Sequence, residues 1–255
     1  MRHQVLRIHT DYGPIGEGAS RAHVVLANNG TEYIVKGHCF SPEHPFVAVN
    51  EYIAASLAED LGLPALDWRL VDVDGCLCYA STYLVKGSFY PWLTAELLDA
   101  CENRDYVYDM VAFDAWLCNA DRHQGNILVR LAKPSGTKND QRFLVLNDHS
   151  HALLPPGFDC DILPSAVNQP VCNFVQIDFV KERIVSRERL EQAIKKIELL
   201  PEDRIVKTVQ DSPEELWPDL HCRELILDFL LKRRSLLRSL FDEASCFPKL
   251  EGGGQ

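Results

Sequence analysis

The chain has 255 residues, 46% hydrophobic and 25% charged, which suits one large domain or two intimate lobes and excludes a disordered chain. Its formal net charge of -11 sets long-range repulsion against nucleic acid and anionic membranes, excluding a general role on either but not a local basic pocket for a phosphate ligand. No window approaches an uncharged membrane-spanning length, and the start "MRHQVLRIHTDYG" lacks a continuous apolar run, so a cytoplasmic chain without membrane insertion is expected.

In chain order, "QVLRIHT", "RAHVVLAN" and "TEYIVKG" read as short strands, with "NNG" as a hairpin turn between the last two. "PFVAVNEYIAASLAEDLGLP" repeats apolar residues at helical spacing through Ile53, Leu57 and Leu61, then stops at Gly62 and Pro64. "WRLVDVD" and "CLCYASTYLV" form another strand pair turning at Asp74 and Gly75. Beyond about residue 90 the pattern is mainly helical, with segments near 94–101, 105–119, 187–199 and 219–243. The stripe through Val107, Met110, Val111, Phe113 and Leu117 reads as core. Two apolar runs, "NILVRL" and "RFLVLND", flank the polar "AKPSGTKNDQ" and predict a hairpin with a long loop, while the "EGGGQ" tail reads as mobile. There is no internal repeat. The expected architecture is α+β: a small β-rich lobe over 1–85, then a larger, mainly helical lobe over 86–255.

Nine cysteines at 39, 76, 78, 101, 118, 160, 172, 222 and 246 show no repeated CxxC spacing, so they read mostly as reduced, buried small hydrophobes without a disulfide framework. Cys76 and Cys78 share one face of a strand, which keeps a metal or redox reading beside that of packing. The basic group Lys232, Arg233, Arg234 and Arg238 reads as a solvated helix face, with docking as the alternative.

An antiparallel hairpin brings the start of its first strand beside the end of its second, so Asn126 and Asp148 converge, with Asp121 in the loop entering that edge. Two carboxylates and an amide oxygen suit a hard cation such as magnesium; His123, His149 and His151 keep zinc or iron as alternatives, without the paired spacing of common metal helices. Upstream, "GPIGEGASRAHVVL" has backbone freedom at Gly13, Gly16 and Gly18 before Ser20, enough for amides to approach nucleotide phosphates, although it is not a Walker A sequence.

"NADRHQGNILV" followed by "LNDHSHAL" resembles the catalytic and metal-binding segments of HipA-like kinases and, more distantly, the corresponding loops of the phosphoinositide 3-kinase group. "YIVKG" and "NEYIAASLAEDLGLP" resemble that family's strand lysine and acid-bearing helix, and "LPEDRI" with "LILDFLLKRRSLLRSLF" resembles the helical end of its shorter, single-module members. The glycine segment departs from the longer HipA kinases, and the chain is too short for their additional N-terminal subdomain.

The resemblance implies a bilobal protein-kinase-like fold with an ATP-Mg complex between the lobes. Lys36 would contact the phosphates and pair with Glu51, which shares a helix stripe with Ala54 and Ala58. Asp121 would orient or deprotonate the acceptor hydroxyl; Asn126 and Asp148 would bind magnesium; Arg122 or His123 would stabilise charge or hold the loop. Gly16, Gly18 and Ser20 would cover the phosphates, and Thr82, Tyr83, Leu84 and Val85 would form the adenine hinge. The activity implied is transfer of the γ-phosphate to a hydroxyl, first of serine or threonine in a protein, within a bacterial toxin-antitoxin or defence system and with a regulatory protein partner. A small-molecule or lipid kinase and a nucleotide-binding pseudokinase are the alternatives.

Overall fold

The computed structural model describes residues 5–16, 18, 20–132 and 140–248. Five strands form a closed barrel in the order β1-β2-β3-β5-β4: β1 (Leu6–Pro14), β2 (His23–Ala27), β3 (Glu32–Lys36), β4 (Trp68–Val73) and β5 (Cys76–Thr82). Alternation along the strands fills the barrel with Leu6, Val25, Ala27, Tyr33, Val35, Val71, Cys78 and Ala80. β5 is buried on both faces: Cys78 and Ala80 enter the barrel, whereas Leu77 and Tyr79 join the main core. That two-sided burial explains its continuous apolar run. Closure comes from a short parallel pairing of β1 with β4, at Leu6↔Val71 and Arg7↔Asp72, which the hairpin pattern did not anticipate.

α1 (Val47–Asp60) is the single helix interrupting the sheet, as its periodicity predicted. Its buried residues run through 47–55 and include Leu57 and Ala58, so it is enclosed on nearly every side. Gly62 ends it with a φ of +68°, while the Leu63 N–H donates to the Ala58 carbonyl, satisfying an otherwise orphaned carbonyl. Just beyond, the Leu146 N–H donates to the Pro64 carbonyl at 2.6 Å, and Ala65 forms a parallel bridge with Leu146.

The remainder is mainly helical. A three-stranded sheet of β6 (Phe89–Tyr90), β7 (Ile127–Ala132) and β8 (Gln141–Leu146) faces the first lobe, with β7 and β8 antiparallel from Ile127↔Leu146 to Ala132↔Gln141. The hairpin expectation is met; residues 133–139 of its loop and the 251–255 tail lie outside the described residues. Helices α2 (Ala95–Asp99), α3 (Tyr106–Leu117), α4 (Leu163–Ala166), α5 (Asp178–Lys181), α6 (Arg187–Glu198), α7 (Glu202–Gln210) and α8 (His221–Asp242) complete this part. Among the described residues no helix is long and apolar enough to cross a membrane.

Two sequence expectations are corrected. Arg233 is not on a solvated face: it is fully buried and donates to the carbonyls of Ala115, Ala166, Val167 and Gln169. It falls on the same α8 stripe as Ile226, Phe229, Leu230, Leu237 and Phe241, so helical phase overrides the basic composition around it. Arg234 and Arg238 pair with Glu202, Glu191 and Glu198, and Lys232 with Asp228, so the group is a set of local ion pairs. The cysteines are not uniformly reduced: Cys160–Cys222 and Cys172–Cys246 are disulfides, closing separations of 62 and 74 residues that no short spacing could reveal.

Candidate active site

β3 ends on Lys36, whose side chain is buried at 7% exposure. Its ammonium lies 2.6 Å from Glu51 Oε1 on α1 and 2.8 Å from Asp148 Oδ1, just after β8. Burial pulls the Lys36 pKa down, but the two carboxylates outweigh it and hold the amine charged above its ordinary range. Burial pushes Asp148 up, but Lys36 and Ser150 overcome it and hold the carboxyl well below the usual range. For Glu51 burial prevails over Lys36, and its pKa is raised.

Asp148 has a φ of +61°, a left-handed conformation that aspartate tolerates better than most residues. The turn is fixed by Ser150, whose Oγ at 2.5 Å and N–H at 3.1 Å both donate to Asp148 Oδ1. The same loop is tied to α1: Asn50 Nδ2 donates to the carbonyls of Ser150 and Leu154, and the His149 N–H donates to Glu51 Oε1. His149 is buried against Phe113, and burial, with Arg122 next, holds its imidazole neutral and well below its ordinary range.

The loop containing Asp121 rests on a buried ion pair. Arg122 donates from Nε and Nη2 to the two oxygens of Asp114 on α3, at 2.8 and 3.0 Å. Its Nη1 donates to the carbonyls of Asn126, Asn147 and Asp148, so one guanidinium joins the two loops. Asn119 donates to Asp114 and accepts from the Asp121 N–H. Asp121 remains partly exposed, with His151 Nδ1 3.4 Å from its Oδ2. Asn126 Nδ2 donates to the Asp121 carbonyl at 2.7 Å, which turns its own oxygen away from that contact. Asn126 and Asp148 therefore offer hard oxygen donors at one hairpin end, a donor set that fits magnesium.

The other expected residues have distinct places. His123 is exposed and caps the next turn, its Nδ1 accepting from the Gly125 N–H. Arg122 is 2% exposed, which gives it the loop-holding part of its two expected roles. Gly16 and Gly18 line a surface cleft with Arg21, His23, Phe40 and Glu43, and Ser20 is buried beside it. In the expected hinge segment the Thr82 N–H donates to the Asp67 carbonyl, the Tyr83 N–H to the Glu32 carbonyl, and the Val85 carbonyl accepts from the Ser88 N–H and hydroxyl.

Sequence reasoning missed Asn50, Asp114 and His44. An acid inside the apolar stripe "YDMVAFDAWL" was the available signal for Asp114; Asn50, beside Glu51, carried none. His44 is 1% exposed, sits edge-on to His151 with ring centroids 5.3 Å apart, and has a pKa lowered to about 4 by burial, then by His151 and Lys36.

A family model described as HipA-like kinase matches residues 12–220. Among solved structures, a Helicobacter pylori proinflammatory kinase, CtkA, aligns with a TM-score of 0.62 at 16% identity, covering 92% of this chain and 96% of that one. The Golgi casein kinase with Mn/ADP bound aligns at 0.50 and 11% identity, over 96% of this chain and 73% of that one. HipA from the Shewanella oneidensis MR-1 toxin-antitoxin complex with HipB and operator DNA also aligns at 0.50 and 11%, over 91% and 66%. No curated protein matches the chain by sequence.

Proposed function

The chain belongs to the HipA-like kinase family, a family of phosphotransferases with a bilobal protein-kinase-like fold, and from that premise we propose that it transfers the γ-phosphate of ATP to a serine or threonine hydroxyl of a protein. The observation that carries this reading is the constellation of Lys36, Glu51 and Asp148, joined through Arg122 to a loop on which Asp121 stays partly exposed. We place the lobe boundary at 85/86, after the hinge segment.

Phosphoryl transfer requires positioning and charge neutralisation more than covalent chemistry. Lys36 has an amine kept charged by its two partners, and it would cradle the nucleotide phosphates while Glu51 holds its direction. Asn126 and Asp148 would hold Mg2+, which when bound neutralises developing charge on the phosphate oxygens. Asp148 uses Oδ1 for Lys36 and Ser150, so it would turn its other oxygen to the ion. Amides around Gly16, Gly18 and Ser20 would cover the phosphates, and Leu84 and Val85 would meet the adenine. Asp121 would orient the acceptor hydroxyl and take its proton, with His151 beside it. Arg122 positions both loops, and His123 shapes the turn between Asp121 and Asn126.

The Mn/ADP of the Golgi casein kinase neighbour supports a nucleotide and a divalent ion. The HipA neighbour's complex with HipB supports a regulatory protein partner and a toxin-antitoxin or defence setting. Labelled ATP is expected to give magnesium-dependent turnover or autophosphorylation, lowered about 10²–10⁴-fold in Asp121→Ala and Asp148→Ala while circular dichroism stays native. Equal activity in wild type and both variants rejects the site. Label transferred in lysate to a small molecule rather than a protein rejects the protein acceptor.

A further inference from the structure

Just past Lys36, the barrel carries a cluster of sulfur ligands. The chain leaves β3 at Lys36, passes Gly37 and turns, with the Phe40 and Ser41 N–H groups donating to the Gly37 carbonyl. This turn sets His38 and Cys39 against Cys76 and Cys78 of β5, two residues apart on one strand face. The Cys39 and Cys78 sulfurs are 3.5 Å apart, those of Cys76 and Cys78 3.8 Å apart, and all three lie within 4.8 Å of one another. His38 Nε2 lies 3.5 Å from the Cys76 sulfur.

We propose that Cys39, Cys76 and Cys78 form a structural zinc site that staples the segment after Lys36 to β5, with the exposed His38, which borders the group at Cys76, turning in as the fourth ligand when the ion binds. Tetrahedral zinc with bonds of about 2.3 Å to sulfur holds its sulfur ligands roughly 3.8 Å apart, close to the separations found here. Thiolates and imidazole are the soft and borderline donors that prefer zinc to magnesium, so the site is chemically distinct from the oxygen set at Asn126 and Asp148. Gly37 supplies an independent observation: a Cβ there would stand 2.2 Å from the Cys78 sulfur, so the close approach requires glycine. Cys78 is fully buried, Cys76 half-buried, and Cys39 and His38 open to solvent, which gives an ion an entry path and a rigid floor. Loading releases the thiol protons to solvent, so occupancy declines as pH falls. The other sulfur cluster, Asp159 with Cys160 and Cys222, has its sulfurs joined in a disulfide.

The test uses the full chain, reduced and dialysed against zinc, with bound metal measured by mass spectrometry and cobalt substituted for spectroscopy. One zinc per chain is expected, with thiolate-to-cobalt absorption in the near ultraviolet and tetrahedral bands in the visible. Cys39→Ser/Cys76→Ser should abolish both, and His38→Ala, which retains the three sulfurs, should keep the charge-transfer band and shift the visible bands. Should the double variant misfold, Cys39→Ser alone, altered at an exposed position, serves instead, with the sulfur-to-cobalt intensity expected to fall by about a third from the loss of one thiolate of three. Failure of the reduced wild type to retain zinc or develop thiolate-cobalt bands overturns the proposal. So does a signal that survives Cys39→Ser/Cys76→Ser and vanishes in Cys160→Ser/Cys222→Ser. Neither readout depends on kinase activity.

Discussion

Lys36 pairs with two carboxylates, the buried Glu51 and the partly buried Asp148. Lys36→Met should therefore leave two carboxylates facing each other without their counter-charge, lowering stability by about 2–4 kcal/mol. Urea denaturation should show that loss, with part of it recovered in Lys36→Met/Glu51→Gln. His44 makes a pH prediction. Its pKa is about 4 in the fold, so below an unfolded value of about 6.5 the unfolded chain takes the proton first. Stability falls as pH drops from about 6.5 to about 4, by roughly 3 kcal/mol for this group. Buried His149 acts in the same sense, and Glu51, with its raised pKa, in the opposite sense above 4.5. Asp148, with its lowered pKa, contributes stability that is lost only below about 3.8. The difference between wild type and His44→Leu isolates the effect: denaturation midpoints at pH 7.5 and 4.5 should converge in the variant, and an unchanged slope would refute it.

The elements around the site depend on one buried acid in α3. Asp114 receives Arg122 and Asn119, and Arg122 carries the carbonyls of both loops. Asp114→Ala should strand the guanidinium, with a loss of about 3–5 kcal/mol and a further drop in transfer rate, because Asp121 loses its support. Calorimetry and single-turnover kinetics on the same preparation check both. The strands, α1 and the β7–β8 hairpin were legible because their periods and stop signals are local: Gly62 and Pro64 end α1 by their own geometry. Lys36 and Glu51 were legible through their order along the chain. Asn50 and His44 were not, since their partners lie about a hundred residues away, as Leu154 does from Asn50, and Asp114 was hidden because its nearby partners Asn119 and Arg122 reach it only through the turn after α3. Arg233 was hidden by the basic residues beside it, because its place on the apolar stripe of α8, and not its neighbours' composition, sets its burial.

Across the whole molecule, the two disulfides tie α8 and the segment after it to the region between β8 and α5. Closing loops of 62 and 74 residues restricts the unfolded chain by about 4 kcal/mol each in the chain-entropy view. The denatured, unreduced chain should show five titratable thiols and the reduced chain nine, with a lower melting temperature after reduction. Nine titratable thiols without reductant would remove the bridges. Like the β1–β4 closure, these links join distant parts of the chain, which local pattern does not encode. The Pro64–Leu146 hydrogen bond has a mechanical consequence. A molecule joined only by the segment after Thr82 could swing open like a door in any direction, but a second seam at Pro64 and Ala65 anchors the other side. The bonds from Asn50 to the Ser150 and Leu154 carbonyls and from the His149 N–H to Glu51 continue that seam, so α1 is held to the second lobe along its length and not at one end alone.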